Sequence, residues 1–396
     1  MIRFLSDCSS EMISKEIIGL KTVFVSHSGE KGGAPIVLTR LFRQALKEEK
    51  EEVYLVFRYQ GELAEACRKE FGEGRVFTIR DKDPRKINTL NKPFRKLVDL
   101  YRLVKLFKEI KPQIVIANSL INTSAIVAGL WVRAKVAVWA HEVPGMINDP
   151  LRLRSFWIRK ARFGIGVSEQ VCEYLKELGM DPAKIRLIHH GLDLEGEIHG
   201  NQMEEIIPPR GLLKLGALAV WSPRKRLDLI METAVELARS GRFNQVRLDI
   251  GGPMDLWFPH LFAEIMGRFS EKPPSLTVRF LGSIEELNLF YQDLDAVLVT
   301  SDKEALPTVV LEALVRQIPV FSFEDLRGVQ EILGETALLA RERNGAALAE
   351  KVIQFFINPD HLDTLEQWQK AAMSRSRLFS LENQWKAFQK VLSGLG

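Results

Sequence analysis

Short runs of apolar and β-branched residues alternate with amphipathic helical stretches along nearly the whole chain, and the alternation happens twice. In the first half the runs cover 22–27, 53–58, 75–80, 113–118, 135–141, 163–168 and 185–191. In the second half they cover 214–221, 246–252, 276–282, 296–301 and 318–323. Many are apolar nearly throughout, the pattern of strands covered on both faces. Stretches such as 34–49 and 227–240 carry apolar residues at helical spacing between them. Strand–helix–strand alternation of this kind predicts parallel, doubly wound sheets. A chain of 396 residues also exceeds the size at which one hydrophobic core stops growing, so two α/β domains in tandem are expected.

The break between them is expected at 192–211, where Gly196, Gly200, Pro208, Pro209 and Gly211 interrupt the pattern. Residues 1–200 then form the first domain and 201–375 the second. Residues 1–20 precede the first strand as an extension. A final helical stretch, 381–392, carries Trp385 and Phe388. Hydrophobic residues at 46% and charged residues at 27% exclude a disordered or collagen-like chain. Cys8, Cys67 and Cys172 are scattered, without zinc-site or disulfide-framework spacing, as in a reduced cytoplasmic protein. No apolar run reaches membrane-spanning length and the N-terminus lacks a signal-peptide core, so a soluble, cytoplasmic protein is expected.

Charge is unevenly shared. Residues 1–200 carry 33 Lys and Arg against 25 Asp and Glu, whereas 201–396 carry 22 against 26. Most of the excess lies in 84–112, with nine cations (Arg85, Lys86, Lys92, Arg95, Lys96, Arg102, Lys105, Lys108, Lys111) and two acids, Asp99 and Glu109. Leu97, Leu100, Tyr101, Val104 and Phe107 interleave at helical spacing. This segment is either a solvated helix packed by one apolar stripe or a surface that meets anionic lipid or a polyanionic substrate.

Ligands of open α/β sheets bind beyond the carboxyl ends of the strands, so the residues following each run are the candidates. After the first run, Gly29, Gly32 and Gly33 precede a helix that starts near Pro35. A glycine loop at a helix N-terminus lets backbone N–H groups approach a phosphate or a sugar hydroxyl, or it makes a tight structural turn. The spacing is not that of a dinucleotide-binding loop, which argues against a nicotinamide enzyme. The run 135–140 ends in His141 and Glu142, where a histidine can touch a substrate or serve the fold; His27, His189 and His190 also follow strands. In the second half, Arg224, Lys225 and Arg226 open a helix, where cations oppose the macrodipole and an anion relieves them. After 296–301 comes a loop with Glu304, then a helix over 309–315 that includes Glu312.

Glu304 and Glu312 have the spacing of an E-x7-E motif, set in SDKEALPTVVLEALVRQIPVFSF. With VWSPRKRLDLIMETA, VSHSGEKGGAPIVLTRL, WAHEVPG, GVSEQVCEYL, IRLIHHGLD, LDIGGP and VRFLGSIEELNLFYQDLDAVLVTS in order, the chain resembles the retaining GT-B glycosyltransferases of family 4, the group 1 glycosyltransferases, over roughly residues 22–340. The resemblance implies two Rossmann-like domains facing each other across a cleft, the first for the acceptor and the second for a nucleotide-sugar. It also implies that a helix over about 376–396 packs back on the first domain.

Residue by residue, the resemblance implies that Glu312 accepts hydrogen bonds from the ribose hydroxyls and that Lys225, with Arg224 or Arg226, neutralises the diphosphate. Glu304 and His141 lie beside the transferred sugar as the catalytic pair. Gly32, Gly33, Leu306 and Thr308 complete the donor contacts. No metal and no other cofactor is expected, since cations and helix dipoles stabilise the leaving diphosphate. The chain departs from the family at Val220, where an arginine is usual, and at Pro307, which removes one N–H. The function implied is sugar transfer with retention, UDP-sugar being the first choice of donor. The acceptor would be a glycan or lipid-linked precursor in polysaccharide or glycolipid assembly, met by a protein peripheral to the inner membrane face. The rivals are a GT-B-fold nucleotide-sugar epimerase and a non-catalytic partner subunit. Basic residues without aromatic stacking motifs argue against nucleic acid as a partner.

Overall fold

The structure, a computed structural model, describes residues 20–48, 52–81, 92–147, 153–194, 211–254, 258–358 and 361–394, with the backbone alone at 92–96 and 361–362. The extension over 1–19, most of the interdomain segment 192–211, and Arg85 and Lys86 of the basic segment lie outside the described residues. The described residues divide into two compact units. One runs up to Gly191 and takes up the chain again from Ser380, and the other is Leu192–Phe379.

The first unit holds seven parallel strands: β1 Thr22–Ser26, β2 Val53–Phe57, β3 Val76–Thr78, β4 Ile114–Asn118, β5 Lys135–Ala140, β6 Phe163–Gly166 and β7 Ile185–Leu187. Their order is β3-β2-β1-β4-β5-β6-β7. Every residue of β1 and β4 is buried, as apolar runs covered on both faces require. The strand order reverses between β1 and β4, so the loops that follow these two strands part there and leave a crevice at their carboxyl ends.

The second unit repeats the plan with β8 Leu212–Leu218, β9 Gln245–Gly251, β10 Leu276–Gly282, β11 Ala296–Leu298, β12 Val320–Phe323 and β13 Leu338–Ala340, ordered β10-β9-β8-β11-β12-β13. Its switch point lies between β8 and β11. The sequence pattern missed β13, whose segment Ala337–Ala340 holds only Ala and Leu, without the β-branched residues that mark the other runs, and reads equally well as helix.

The described part of the basic segment is the helix Lys92–Ile110, and its buried face differs from the expected stripe. Leu97 and Tyr101 are 64% and 70% exposed, while Asp99, Leu103, Phe107 and Ile110 turn inward. The reason is Asp99, only 2% exposed, whose carboxylate takes ion pairs from Arg58 and Arg80, just beyond the ends of β2 and β3. A carboxylate bound by two guanidinium groups is satisfied when buried, so this acid belongs to the core and two apolar residues are left outside. Among the described residues, no helix is long and apolar enough to cross a membrane.

The last helix, Leu381–Ser393, completes the first unit. Trp385 donates its indole N–H to Glu48 Oε2 at 2.7 Å, at the end of helix Gly33–Glu48. Phe388 meets the fully buried Trp139 of β5 edge-on, with ring centroids 4.7 Å apart.

Candidate active site

In the second unit the loops after β8 and β11 flank the switch point, and their backbones are stitched together. Asp302 N–H donates to Arg224 O at 2.8 Å, and Thr300 Oγ1 donates to both Lys225 O and Arg226 O at 3.0 Å. Pro223–Lys225 forms one 3₁₀ turn, and Arg226 then takes a left-handed conformation (φ 50°) before helix Leu227–Arg239. The three neighbouring cations consequently point to different partners. Arg226 is tied to Asp228 and Asp302, at 2.8 and 3.2 Å, so it serves the turn.

Lys225 Nζ stands 2.5 Å from Glu304 Oε1, and Arg224 approaches the same oxygen at 3.3 Å. Glu304 is 8% exposed. Burial pushes its carboxyl up, but the charges of Lys225 and Arg224, with hydrogen bonds from Lys225 and Ser301, outweigh burial and hold it below the ordinary glutamate value. The result is an ionised carboxylate beside two cations, a cluster with one net positive charge. Behind it, Gly328 packs so closely that a Cβ there would come 2.3 Å from Ala305 O and 2.8 Å from Glu304 O. That glycine sets the position of the Glu304 loop.

The loop ends at Pro307, and helix Thr308–Val315 begins. Glu312 is buried in its second turn, where Oε2 accepts from Tyr291 O–H at 3.1 Å. Arg316 lies over the Tyr291 ring at 4.9 Å. Leu306 buries its side chain, so its backbone is what it can offer a donor; Thr308 is half-buried. Val220 is exposed where an arginine was expected. Glu304 and Glu312 thus have separate partners, Glu304 the cations and Glu312 the Tyr291 hydroxyl.

In the first unit, the three glycines after β1 have different duties. Gly29 is held against Gly61 and Tyr59, with a Cβ clashing at 2.3 Å, whereas Gly33 faces open space and Gly32 nearly so. Gly29 is therefore a packing residue, and Gly32 and Gly33 leave the helix N-terminus open to approach. His141, half-buried after β5, has both ring nitrogens engaged: Nε2 lies 2.5 Å from Asn118 Oδ1 and Nδ1 lies 3.0 Å from His190 Nε2. Burial, then the neighbouring His190 and His27, holds its pKa well below 6.5, so the ring is neutral. Glu142 clamps the turn, accepting from Ser119 O–H and, at 3.0 Å each, from Leu120 N–H and His141 N–H. Burial raises its pKa despite these bonds and the charge of Arg154. Asn118 escapes the sequence reading, and His190 enters it only as one of several histidines that follow strands, because nothing in the sequence signals their pairing with His141. Among the described residues, no cluster of three or more His, Cys, Asp or Glu is arranged to hold a metal ion.

Two family models match the sequence, "Glycosyltransferase Family 4" over residues 31–195 and "Glycosyl transferases group 1" over residues 209–358. The chain belongs to the group 1, family 4 glycosyltransferases. Solved structures agree in fold. HepE of Anabaena, in complex with UDP and glucose, is 17% identical with a TM-score of 0.75, over 94% of this chain and 99% of that one. A glycosyltransferase of Rickettsia africae is 17% identical with a TM-score of 0.74, over 95% and 99%. TarM of S. aureus, in complex with fondaparinux, alpha-GlcNAc-glycerol and UDP, is 14% identical with a TM-score of 0.69, over 94% and 99%. These likenesses establish the GT-B fold, with its two Rossmann-like domains. No curated protein matches the sequence significantly. In this glycosyltransferase, then, the cation turn and the E-x7-E segment both lie at the carboxyl ends of the strands flanking the second unit's switch point.

Proposed function

We propose that this glycosyltransferase moves a sugar from a UDP-sugar to a glycan or lipid-linked acceptor, with retention of configuration and without a metal. The observation that carries the reading is the cluster of Lys225 and Arg224 on Glu304 beside the start of helix Thr308–Val315. Two cations on one carboxylate leave a net positive charge that suits a diphosphate. The complexes of HepE and TarM with UDP favour uridine as the donor's nucleoside.

In this reading Lys225 and Arg224 turn to the diphosphate and stabilise the charge that grows as it leaves, the work a metal ion does elsewhere. Glu304, freed of part of its pairing, remains ionised beside the anomeric carbon as positive charge develops there. Glu312 holds the ribose hydroxyls, and Tyr291 fixes its carboxylate for them. Neutral His141 contributes a hydrogen bond to the sugar and not a charge. The leaving phosphate takes the acceptor proton, so no enzymic nucleophile is required. The acceptor belongs to polysaccharide or glycolipid assembly, and the protein works at the inner membrane face, held weakly by the basic helix Lys92–Ile110.

A thermal-shift panel of UDP-, GDP- and dTDP-sugars, with and without EDTA, tests the reading. At 100 times its Kd the right donor stabilises by about 2.7 kcal/mol. That raises Tm by several degrees. No shift with any nucleotide-sugar, or a shift abolished by EDTA, would overturn it.

A further inference from the structure

Asn118, the last residue of β4, is fully buried and pairs in register with Trp139 of β5. Its Nδ2–H donates to Ala34 O at 2.9 Å, in the first turn of helix Gly33–Glu48. A carbonyl cannot donate, so this bond fixes which end of the amide faces which way. Asn118 Oδ1 therefore faces His141 Nε2, and an amide oxygen accepts without donating. The proton of His141 must be on Nε2. Nδ1 of the neutral ring then carries a lone pair, and His190 Nε2, 3.0 Å away, must donate to it. The hydrogen bonds run one way, from His190 through His141 and Asn118 to the Ala34 carbonyl. They tie the segments after β7, β5 and β4 to the helix that follows the open glycines.

The surroundings hold the ring in place. Trp139 lies against it with centroids 4.9 Å apart and is backed by Phe388, while Glu142 grips the main-chain N–H. The titratable groups facing His141 are His190 from the segment after β7, His27 from that after β1, and the adjoining Glu142, which also feels Arg154. Among the described residues the ring nitrogens of His141 meet His190 Nε2 and Asn118 Oδ1, and Asn118 occupies the place where a carboxylate would make the histidine a cation.

We propose that Asn118 is a positioning residue that locks His141 in its Nε2–H tautomer and couples it to the glycine-loop helix. A sugar hydroxyl that reaches Nε2 then accepts its hydrogen bond in place of Asn118 Oδ1, so His141 serves as a hydrogen-bond donor. This deepens the sugar-contact role proposed above, but the ring state can be read without turnover.

The test is ¹⁵N spectroscopy of full-length protein labelled at its seven histidines, with His141 assigned through His141→Gln. The expected wild-type spectrum shows Nε2 protonated and Nδ1 unprotonated, unchanged from pH 7.5 to 5.5. Asn118→Asp places a carboxylate on the ring and should raise the His141 pKa by about 1–3. Asn118→Leu removes the acceptor and should mix the two tautomers. A wild-type His141 protonated on Nδ1, or on both nitrogens at pH 7, overturns the proposal whether or not the variants fold. So does an unaltered His141 signal in both folded variants. If sugar transfer proved indifferent to His141 while the spectra came out as expected, the sugar-contact role would fall and the positioning role of Asn118 would stand.

Discussion

Lys225 and Glu304 stand 79 residues apart in sequence and 2.5 Å apart in space, one on each side of the second unit's switch point. Removing the cation leaves a buried carboxylate with the Ser301 hydrogen bond and only Arg224, at 3.3 Å, as a counter-charge. Lys225→Ala should therefore cost about 1–3 kcal/mol of stability, the penalty for an under-satisfied buried polar group. Adding Glu304→Gln neutralises the stranded charge and should recover much of that loss, without recovering nucleotide-sugar affinity. Urea unfolding and donor titration of the two single variants and the double variant check both halves. Equal stability in Lys225→Ala and the wild type would mean that the pair contributes nothing to the fold.

The two glutamates should fail differently in kinetics. Glu312, as a ribose contact, serves ground and transition states alike, so Glu312→Gln should mainly raise the donor KM. Glu304, in the proposed role, faces charge that develops in the transition state. Glu304→Gln should lower kcat by roughly two to three orders of magnitude with KM little changed. Steady-state kinetics with a verified donor and acceptor separate them, and near-normal turnover of Glu304→Gln would remove it from the catalytic group.

Gly328→Ala probes the Glu304 loop from behind. A methyl group 2.3 Å from Ala305 O forces that backbone to move, since neither partner is a flexible side-chain end. Overpacking of this kind costs about 1–3 kcal/mol. Donor affinity should fall with it, although Gly328 makes no hydrogen bond through a side chain. A crystal structure or a titration with unchanged donor affinity decides the matter.

Acid should act on three groups with known signs. The His141 pKa is well below 6.5, so the stability it gives is present above pH 6.5 and is lost as pH falls toward the folded value. Glu304 lies below 4.5, so its contribution persists above pH 4.5 and is lost only beneath it. Glu142 is raised above 4.5, so protonating it favours the fold as pH falls through that raised value. His141→Phe should flatten the decline in Tm between about pH 6.5 and 5, whereas Glu304→Gln should lower Tm above about pH 4.5 and approach wild type below it, where the wild-type carboxylate is itself protonated. The same Tm–pH slope in His141→Phe as in wild type would contradict the first sign.

The helix Lys92–Ile110 should bind anionic vesicles weakly and reversibly. Each basic residue near such a surface adds about 1 kcal/mol, and salt screens it. Exposed Leu97 and Tyr101 add an apolar foothold. Sedimentation should fall steeply as salt rises and fall further in Leu97→Ser/Tyr101→Ser. Equal binding to neutral vesicles would rule out the electrostatic reading.

The sequence made the strand–helix alternation plain because each buried strand of a parallel sheet advertises itself as an apolar run. Lys225 and Glu304 were legible for a related reason: loops at the carboxyl ends of strands can be located without knowing the sheet order. What escaped depended on that order. Asn118 and His141 become neighbours because β4 pairs with β5, and His190 joins them from beyond β7. Asp99 was counted as an acid among cations at the surface, since its partners Arg58 and Arg80 are brought to it by the sheet and not by helical spacing. The roles of Gly29 and Gly33, two of one loop, were likewise decided by whether Gly61 stood opposite.

The return of the chain at Ser380 has a consequence for the order of events during synthesis. The second unit is one continuous stretch and can finish as soon as it is made. The first unit has its strands made early, but the ring that covers Trp139 is translated only after the whole second unit. At about 5–20 residues per second, the roughly 190 intervening residues take about 10–40 s to make. For that interval the nascent first unit holds Trp139 without the ring of Phe388, and its companion, encoded later, is complete before it.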